Sequence, residues 1–302
     1  MPSLRNMRLQ IRSVKSISQV TRALEAVSAS RVRKAQLAVL ATRQYAAKAL
    51  QILQHLSEQP GIFASTGSLH PLLQARQNVR TVTIVLFTSD RGLCGAYNTN
   101  ALRAALNFAR EQTVPVRFVA IGKKGRDLLL RRRQDVVGEF IHVPATPAFV
   151  EIAPIGRLVV DDFLAGRTDR VYLVYTEFVN MLRQVPHVMQ VLPLQPESEA
   201  ARKAAGEARA HGPLAAYTYE PSREELLDVI IPRFTQLQVY QALLEAQASE
   251  HAARMTAMRN ATDNAKDLIN SLQLDYNKAR QLSITSDMLD IAGGAEALAK
   301  AG

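Results

Sequence analysis

The chain has 302 residues, 47% of them hydrophobic, with one cysteine and a formal charge of +10. That is enough apolar material for one or two cored domains, and a lone cysteine excludes an internal disulfide and points away from an oxidising compartment. No apolar run reaches membrane-spanning length, and the start, "MPSLRNMRLQIRS", is polar and basic rather than a secretory signal, so no membrane span is expected.

From Ser3 to Gln59 there is neither glycine nor proline. Leu4, Met7, Ile11, Val14, Ile17, Val20, Leu24 and Val27 recur at steps of three and four, which predicts a long amphipathic helix. Tyr45, Ala49, Ile52 and Leu56 continue the stripe, and Pro60-Gly61 ends it. Between Met1 and Leu50, ten Lys or Arg stand against one acid, Glu25, so nearly all the net charge sits on this helix. The residues leave three readings of it: a solvated face, a stripe for nucleic acid, or a surface for an acidic protein partner.

The middle of the chain alternates. "RTVTIVLF", "VPVRFVAIG", "DVVGEFIHV" and "DRVYLVYTEF" read as strands, and "NALRAALNFAREQ", "KKGRDLLLRRRQ" and "FVEIAPIGRLVVDDFLAG" between them as helices. This predicts an α/β domain with a mainly parallel sheet, to which "RQVPHVMQVLPL" adds another strand. Pro196 to Gly212, rich in Ala, Glu and Arg, reads as a loop or a weak helix.

Ser222 with Glu225 forms a capping box for a second long helix, in which Pro232 is expected to produce an early kink. No further glycine or proline occurs before Gly293-Gly294. Phe234, Leu237, Leu244, Met255, Met258, Ala265, Ile269, Leu272, Tyr276 and Ala279 mark a coiled-coil seam. The expected division is a helix over 1–60, an α/β domain over 61–221 and a helix over 222–302. Each terminal helix would be roughly 85 to 90 Å long at 1.5 Å per residue. An inserted domain with neighbouring entry and exit makes the helices antiparallel and brings both termini to one tip. Leu4, Met7, Met288, Leu289 and Ile291 would lie exposed there, an apolar surface that calls for a partner.

Signals for chemistry are sparse. "RFVAIGKKGRD" has Arg117 and Lys124 where a nucleotide P-loop needs a glycine and a Ser or Thr, so it reads as a strand-to-helix turn. The six histidines have no ligand spacing, so no metal and no cofactor is expected, and Asp161-Asp162 point in two directions on one helix. "TSDRGLCGAYNTN" is the one ambiguous stretch. Cys94 at the end of a strand, with Arg91 nearby, fits a nucleophile, but no general base accompanies it. Gly92 and Gly95 equally suit a tight turn, with Asn98 or Thr99 capping the next helix.

Three stretches, "SVKSISQVTRALEAVSASRVRKAQ", "TSDRGLCGAYNTN" and "SEHAARMTAMRNATDNAKDLINSLQLDYNKARQLSITSDMLDIAGGAEAL", closely resemble the gamma subunit of F-type ATP synthases. The likeness covers the whole architecture and is weaker between Leu102 and Tyr217. It implies an antiparallel coiled coil of the two terminal helices with an inserted Rossmann-like α/β domain, acting as the central shaft of a rotary motor. The implied partners are alpha and beta subunits, one gamma to three of each, with the epsilon subunit and the c ring, at the cytoplasmic face of a bacterial membrane. Catalysis would belong to those neighbours.

The resemblance also implies site residues. In "KARQLSIT", Arg280, Gln281 and Thr285 match positions that hydrogen-bond a catch loop of the beta subunit, and Leu24 stands where methionine is common at a coupling contact. Arg31, Arg33 and Lys34 match a basic cluster facing acidic beta-subunit segments. Asp90, Arg91 and Cys94 fall in a subunit-facing turn, and Tyr219 and Glu220 in "YTYEPSREELL" fall at the foot, near the c ring or epsilon. "SISQV" and "CGAYN" depart from the usual forms, and the cysteine pair of the redox-regulated chloroplast form is missing. Two other classes define tests of this reading: a nucleic-acid or membrane-surface adaptor, for which stacking aromatics are sparse, and a cysteine-dependent enzyme.

Overall fold

The computed structural model describes residues 3–58, 70–194 and 223–301. Helix α1 (Leu4–Glu58) is followed by a 3-10 turn (Pro71–Leu73), β1 (Val82–Phe87), α2 (Tyr97–Glu111), β2 (Val116–Ile121) and α3 (Lys123–Arg131). Next come β3 (Asp135–Phe140), α4 (Phe149–Leu164), β4 (Arg170–Phe178), β5 (Gln184–Leu192) and α5 (Arg223–Ala301). Pro60-Gly61, the 196–212 stretch and Ser222 of the expected capping box lie outside the described residues. Among the described residues no helix is long and apolar enough to cross a membrane. The chain divides into two compact units, residues 28–254 and the pair of segments 1–27 and 255–302.

In the smaller unit the two long helices pair. Arg8 Nε donates to Tyr276 Oη at 2.7 Å with its guanidinium over the ring, and the Thr21 and Thr262 hydroxyls meet at 2.7 Å. Advancing along α1 therefore means retreating along α5, so the helices are antiparallel, as expected. On α5 Met258, Thr262, Ala265, Ile269, Leu272, Tyr276 and Ala279 are all covered and follow one another in alternating steps of four and three.

The α1 seam differs from the apolar stripe read in the sequence. Covered positions run Leu4, Met7, Ile11, Val14, Ser18 and Thr21, while Ile17, Val20 and Val27 are exposed. A seven-residue repeat holds the seam against the partner helix even where it must pass through hydroxyl residues, whereas the apolar residues drift onto the outer face. The buried hydroxyl pair Thr21–Thr262 satisfies itself across the interface.

The termini do not share a tip. The register places the start of α1 near Arg280, and α5 continues through Gly293-Gly294 to Ala301, about 30 Å further at 1.5 Å per residue. Leu4 and Met7 are accordingly half-covered, while Met288, Leu289 and Ile291 are 66%, 67% and 74% exposed.

In the larger unit a five-stranded sheet has the order β3-β2-β1-β4-β5, parallel except for the antiparallel β4-β5 pair. Strand β1, "VTIVLF", is buried along its whole length, as a central strand covered on both faces must be. One face packs on α2 and α3 through Ala101, Leu102, Ala105 and Leu129. The other packs on α4 and on α5 through Ile155, Val159, Phe163, Phe234 and Leu243. On α1, Ser28, Val32, Ala35 and Val39 are buried.

The turns after β1 and β2 interlock. Thr88 Oγ1 donates to Ile121 O and accepts from Gly125 N, and Lys124 N donates to Ser89 O. Gly122, with φ +92°, lets this approach happen: a Cβ there would lie 2.3 Å from the Thr88 carbonyl oxygen. Gly122→Ala should therefore lower the unfolding free energy by about 3 kcal/mol, read by denaturant titration, from left-handed strain and the clash together.

Candidate functional site

In a doubly wound parallel sheet, ligands bind outside the carboxyl ends of the strands, at the point where the strand order reverses. Here that point lies between β1 and β4, and the turn leaving β1 is the ambiguous stretch around Cys94. The position is occupied by helix α5. Tyr97 Oη donates to Ala246 O at 3.1 Å, and Ser249 Oγ donates to Thr176 O at 2.9 Å near the end of β4. Arg254 donates from Nε to Gly92 O and from Nη2 to Arg91 O and Gly92 O, at 3.3 to 3.4 Å. The helix thus satisfies main-chain carbonyls that would otherwise face a ligand or water.

Within the turn, Asn98 is the organising residue, and it is no helix cap. Helix α2 begins at Tyr97 with Ala96 as its N-cap, which makes no side-chain capping bond. Asn98 Oδ1 instead accepts from Ser89 N at 2.9 Å, while its Nδ2 donates to Ser89 Oγ at 2.7 Å and to Cys94 Sγ at 3.2 Å. Ser89 Oγ donates to Arg91 O. Leu93 and Gly95 both adopt positive φ, the cost of so tight a turn. Cys94 is 2% exposed, and its thiol meets Ser89, Asn98 and the Arg91 carbonyl, with no histidine or carboxylate among these partners. Asp90 Oδ1 accepts from Lys123 N and so caps α3, and the Arg91 side chain is exposed.

Charges gather behind this turn. Glu250 and Arg254, one helical turn apart on α5, form a 2.7 Å ion pair with both side chains largely covered. Burial raises the Glu250 carboxyl above its ordinary range although Arg254 and Arg31 oppose the shift. Burial also pushes the Tyr97 phenol well up. His251 is 4% exposed, and its Nδ1 lies 3.3 Å from Arg254 Nη1, which has only protons to offer. Nδ1 therefore accepts, and the proton sits on Nε2, which has no hydrogen-bond partner among the described residues. Burial, with the Arg254 and Arg31 charges, lowers His251 from 6.5 to about 4.

Of the basic cluster expected from the sequence, Arg31, Arg33 and Lys34 are all exposed, flanking buried Val32 and Ala35. Only Arg31 acts electrostatically on Glu250 and His251. Leu24 is half-buried. On α5, Arg280, Gln281 and Thr285 are exposed, and the Thr285 hydroxyl donates to Gln281 O at 2.9 Å, which fixes those two on one face. Tyr219 and Glu220 lie outside the described residues. Sequence reasoning missed Tyr97, Ser249, Glu250 and Arg254. The signal available for the α5 residues was an acid and a base four apart inside an alanine-rich helical stretch, "AQASEHAARM". Among the described residues no three His, Cys, Asp or Glu side chains form a group able to hold a metal.

His251 titrates with a definite sign. Between its unfolded value of 6.5 and its folded value of about 4, the unfolded chain binds the extra proton, so stability from this group is complete above pH 6.5 and falls as the pH drops toward 4. The difference in melting temperature between the native chain and His251→Gln should therefore change across that window and stay flat above it.

A family profile described as ATP synthase matches residues 3–298. The chain is 46% identical over 304 residues to the ATP synthase gamma chain of Roseiflexus castenholzii, covering 99% of this chain and 100% of that one. It is 44% identical over 299 residues to the gamma chain of Dehalococcoides mccartyi, again covering 99% and 100%. Among solved structures, the fold resembles a chain from the central stalk and c ring of Tetrahymena thermophila mitochondrial ATP synthase, with TM-score 0.60, 23% identity, and 80% and 99% coverage of the two chains. It also resembles one from Euglena gracilis mitochondrial ATP synthase, with TM-score 0.63, 19% identity, and 98% and 94% coverage. End to end, the chain belongs to the ATP synthase gamma-chain family.

Proposed function

We propose that this chain is the central-stalk rotor subunit of an F-type ATP synthase, coupling ion flow through a membrane c ring to ATP synthesis or hydrolysis in an alpha-beta hexamer, with no catalytic site of its own. The full-length likeness to gamma chains carries the reading. Two features of the fold support it. The crevice where a parallel sheet would hold a ligand is filled by α5, and the long helices expose both cations and apolar side chains.

The proposed partners are three alpha and three beta subunits to one gamma, with epsilon and the c ring. The proposed position is peripheral, at the cytoplasmic face of a bacterial membrane, held there through the complex. In this reading the helices over 1–60 and 222–302 form the shaft and the α/β domain over 61–221 forms its outer body. Asp90, Arg91 and Cys94 shape a subunit-facing turn, Leu24 makes a coupling contact, and Tyr219 and Glu220 belong to the foot. A heptad seam gives the shaft stiffness, and the single-helix extension beyond the start of α1 gives it the asymmetry that rotation requires.

The test is reconstitution. Mixed with alpha and beta subunits, the chain should enter at one copy per hexamer and restore ATPase activity, while the chain alone should hydrolyse no ATP. Robust turnover by the pure chain would overturn the assignment.

The catch contacts can be ranked. Hydrogen bonds from a charged donor such as Arg280 contribute roughly 1.5 to 3 kcal/mol, against about 1 for the amide of Gln281 or the hydroxyl of Thr285. Arg280→Ala should reduce ATP-driven ion pumping more than either neighbour alone, and Arg280→Ala with Gln281→Ala more again, since contacts in one network couple. A double variant that assembles normally and pumps at the native rate would move the grip elsewhere, with Arg31, Arg33 and Lys34 the next candidates.

A further inference from the structure

At the amino ends of the parallel strands, away from the α5 contacts, α2 and the turn leaving α3 enclose an open cleft. Its main lobe is ≈ 480 Å³, and a side lobe of ≈ 170 Å³ continues it along α2. The floor is aliphatic: Leu106, Ala109, Val114 and Val116. Arg110 and Arg132 line both lobes and Arg103 the smaller one, and all three side chains are exposed. Among the described residues none of these arginines has an ion-pair partner, although the neighbouring Arg117 and Arg126 do. Arg131 and Arg133 add further positive charge beside Arg132; the nearest acids in sequence are Glu111, next to Arg110, and Asp135, three residues after Arg132, whose carboxylate faces Arg117.

Ordinary structural roles account for part of this. Arg110 lies in the last turn of α2 and Arg132 is the C-cap of α3, where a cation complements the helix dipole. They leave Arg103, two turns back from Arg110 on the same face, without a role. They also leave unexplained why three uncompensated cations surround an apolar floor.

The chemistry selects the occupant. Both helices present their carboxyl ends here, the reverse of the amide-lined geometry that cradles phosphate, and no aromatic ring lines the cleft to stack a base. An aliphatic floor with guanidinium groups around it suits carboxylates flanking an apolar side chain. Arg103 and Arg110 are about 10 Å apart along α2 at 1.5 Å per residue, a span that about three residues of extended chain cover.

We propose that this cleft docks an extended acidic segment of a partner protein, whose alternate aliphatic side chains rest on Leu106, Val114 and Val116 while its carboxylates meet Arg103, Arg110 and Arg132. The site goes beyond the rotary assignment, since it is separate from the shaft residues and from the turn around Cys94.

The probe is a fluorescent, end-blocked pentapeptide alternating glutamate and leucine, with glutamate at both ends, titrated with the full-length chain at low salt and followed by anisotropy. Saturable binding is expected, weakening at least about tenfold in the triple variant Arg103→Gln, Arg110→Gln, Arg132→Gln, because each exposed pair contributes up to about fivefold. A glutamine-for-glutamate peptide and a serine-for-leucine peptide should each bind more weakly. The three arginines are exposed, so the variant should melt with the native chain, which separates lost binding from lost fold. Absence of saturable binding, equal affinity for the triple variant or for either control peptide, or displacement by inorganic phosphate or ATP as readily as by unlabelled peptide would each overturn the proposal.

Discussion

The larger unit depends on one substitution of protein for ligand. A parallel sheet ends in a row of carbonyls and turns at its carboxyl edge, and in a doubly wound fold that edge is where a cofactor supplies the missing partners. In this chain α5 supplies them. Ala246 accepts from Tyr97, Ser249 reaches Thr176, and Arg254 binds the Arg91 and Gly92 carbonyls of the turn after β1. The arrangement joins a residue near position 95 to one near 250, so the turn cannot reshape without disturbing the long helix.

The charges around that contact follow from the same requirement. Arg254 must lie in a largely covered place to reach two carbonyls, and a buried guanidinium without a counter-charge is costly, so Glu250 pairs with it from one turn away. His251 sits beside the pair and stays neutral, with one nitrogen accepting from Arg254 and the other without a partner among the described residues. An unmatched buried N–H is a local weakness, tolerated here because the neutral form avoids adding a third positive charge beside Arg254 and Arg31.

Much of this was legible in the sequence, for identifiable reasons. The five strands and the helices between them follow from short β-branched runs separated by helical spacing, and β1 reads as central because it is apolar throughout. The α5 seam from Met258 to Ala279 was legible because its apolar residues keep the heptad. The α1 seam was not, because Ser18, Thr21 and Ser28 occupy covered positions while Ile17, Val20 and Val27 face outward, and hydrophobicity alone follows the wrong residues. The partner of Thr21 is Thr262, far along the chain, and no local pattern announces it. The role of Asn98 was misplaced for a similar reason: a residue type that caps helices was found one step inside the helix, bonding back to Ser89. Arg280, Gln281 and Thr285 are solvent-facing, so the role proposed for them rests on resemblance and not on packing.

The central claim is that the chain turns as a shaft while others catalyse. The most direct measurement attaches an optical probe to the α/β body in a surface-fixed complex with alpha and beta subunits and supplies ATP. The account predicts unidirectional rotation of the probe with three dwells per turn, one for each beta subunit. A probe that stays fixed while the same complexes hydrolyse ATP would contradict it.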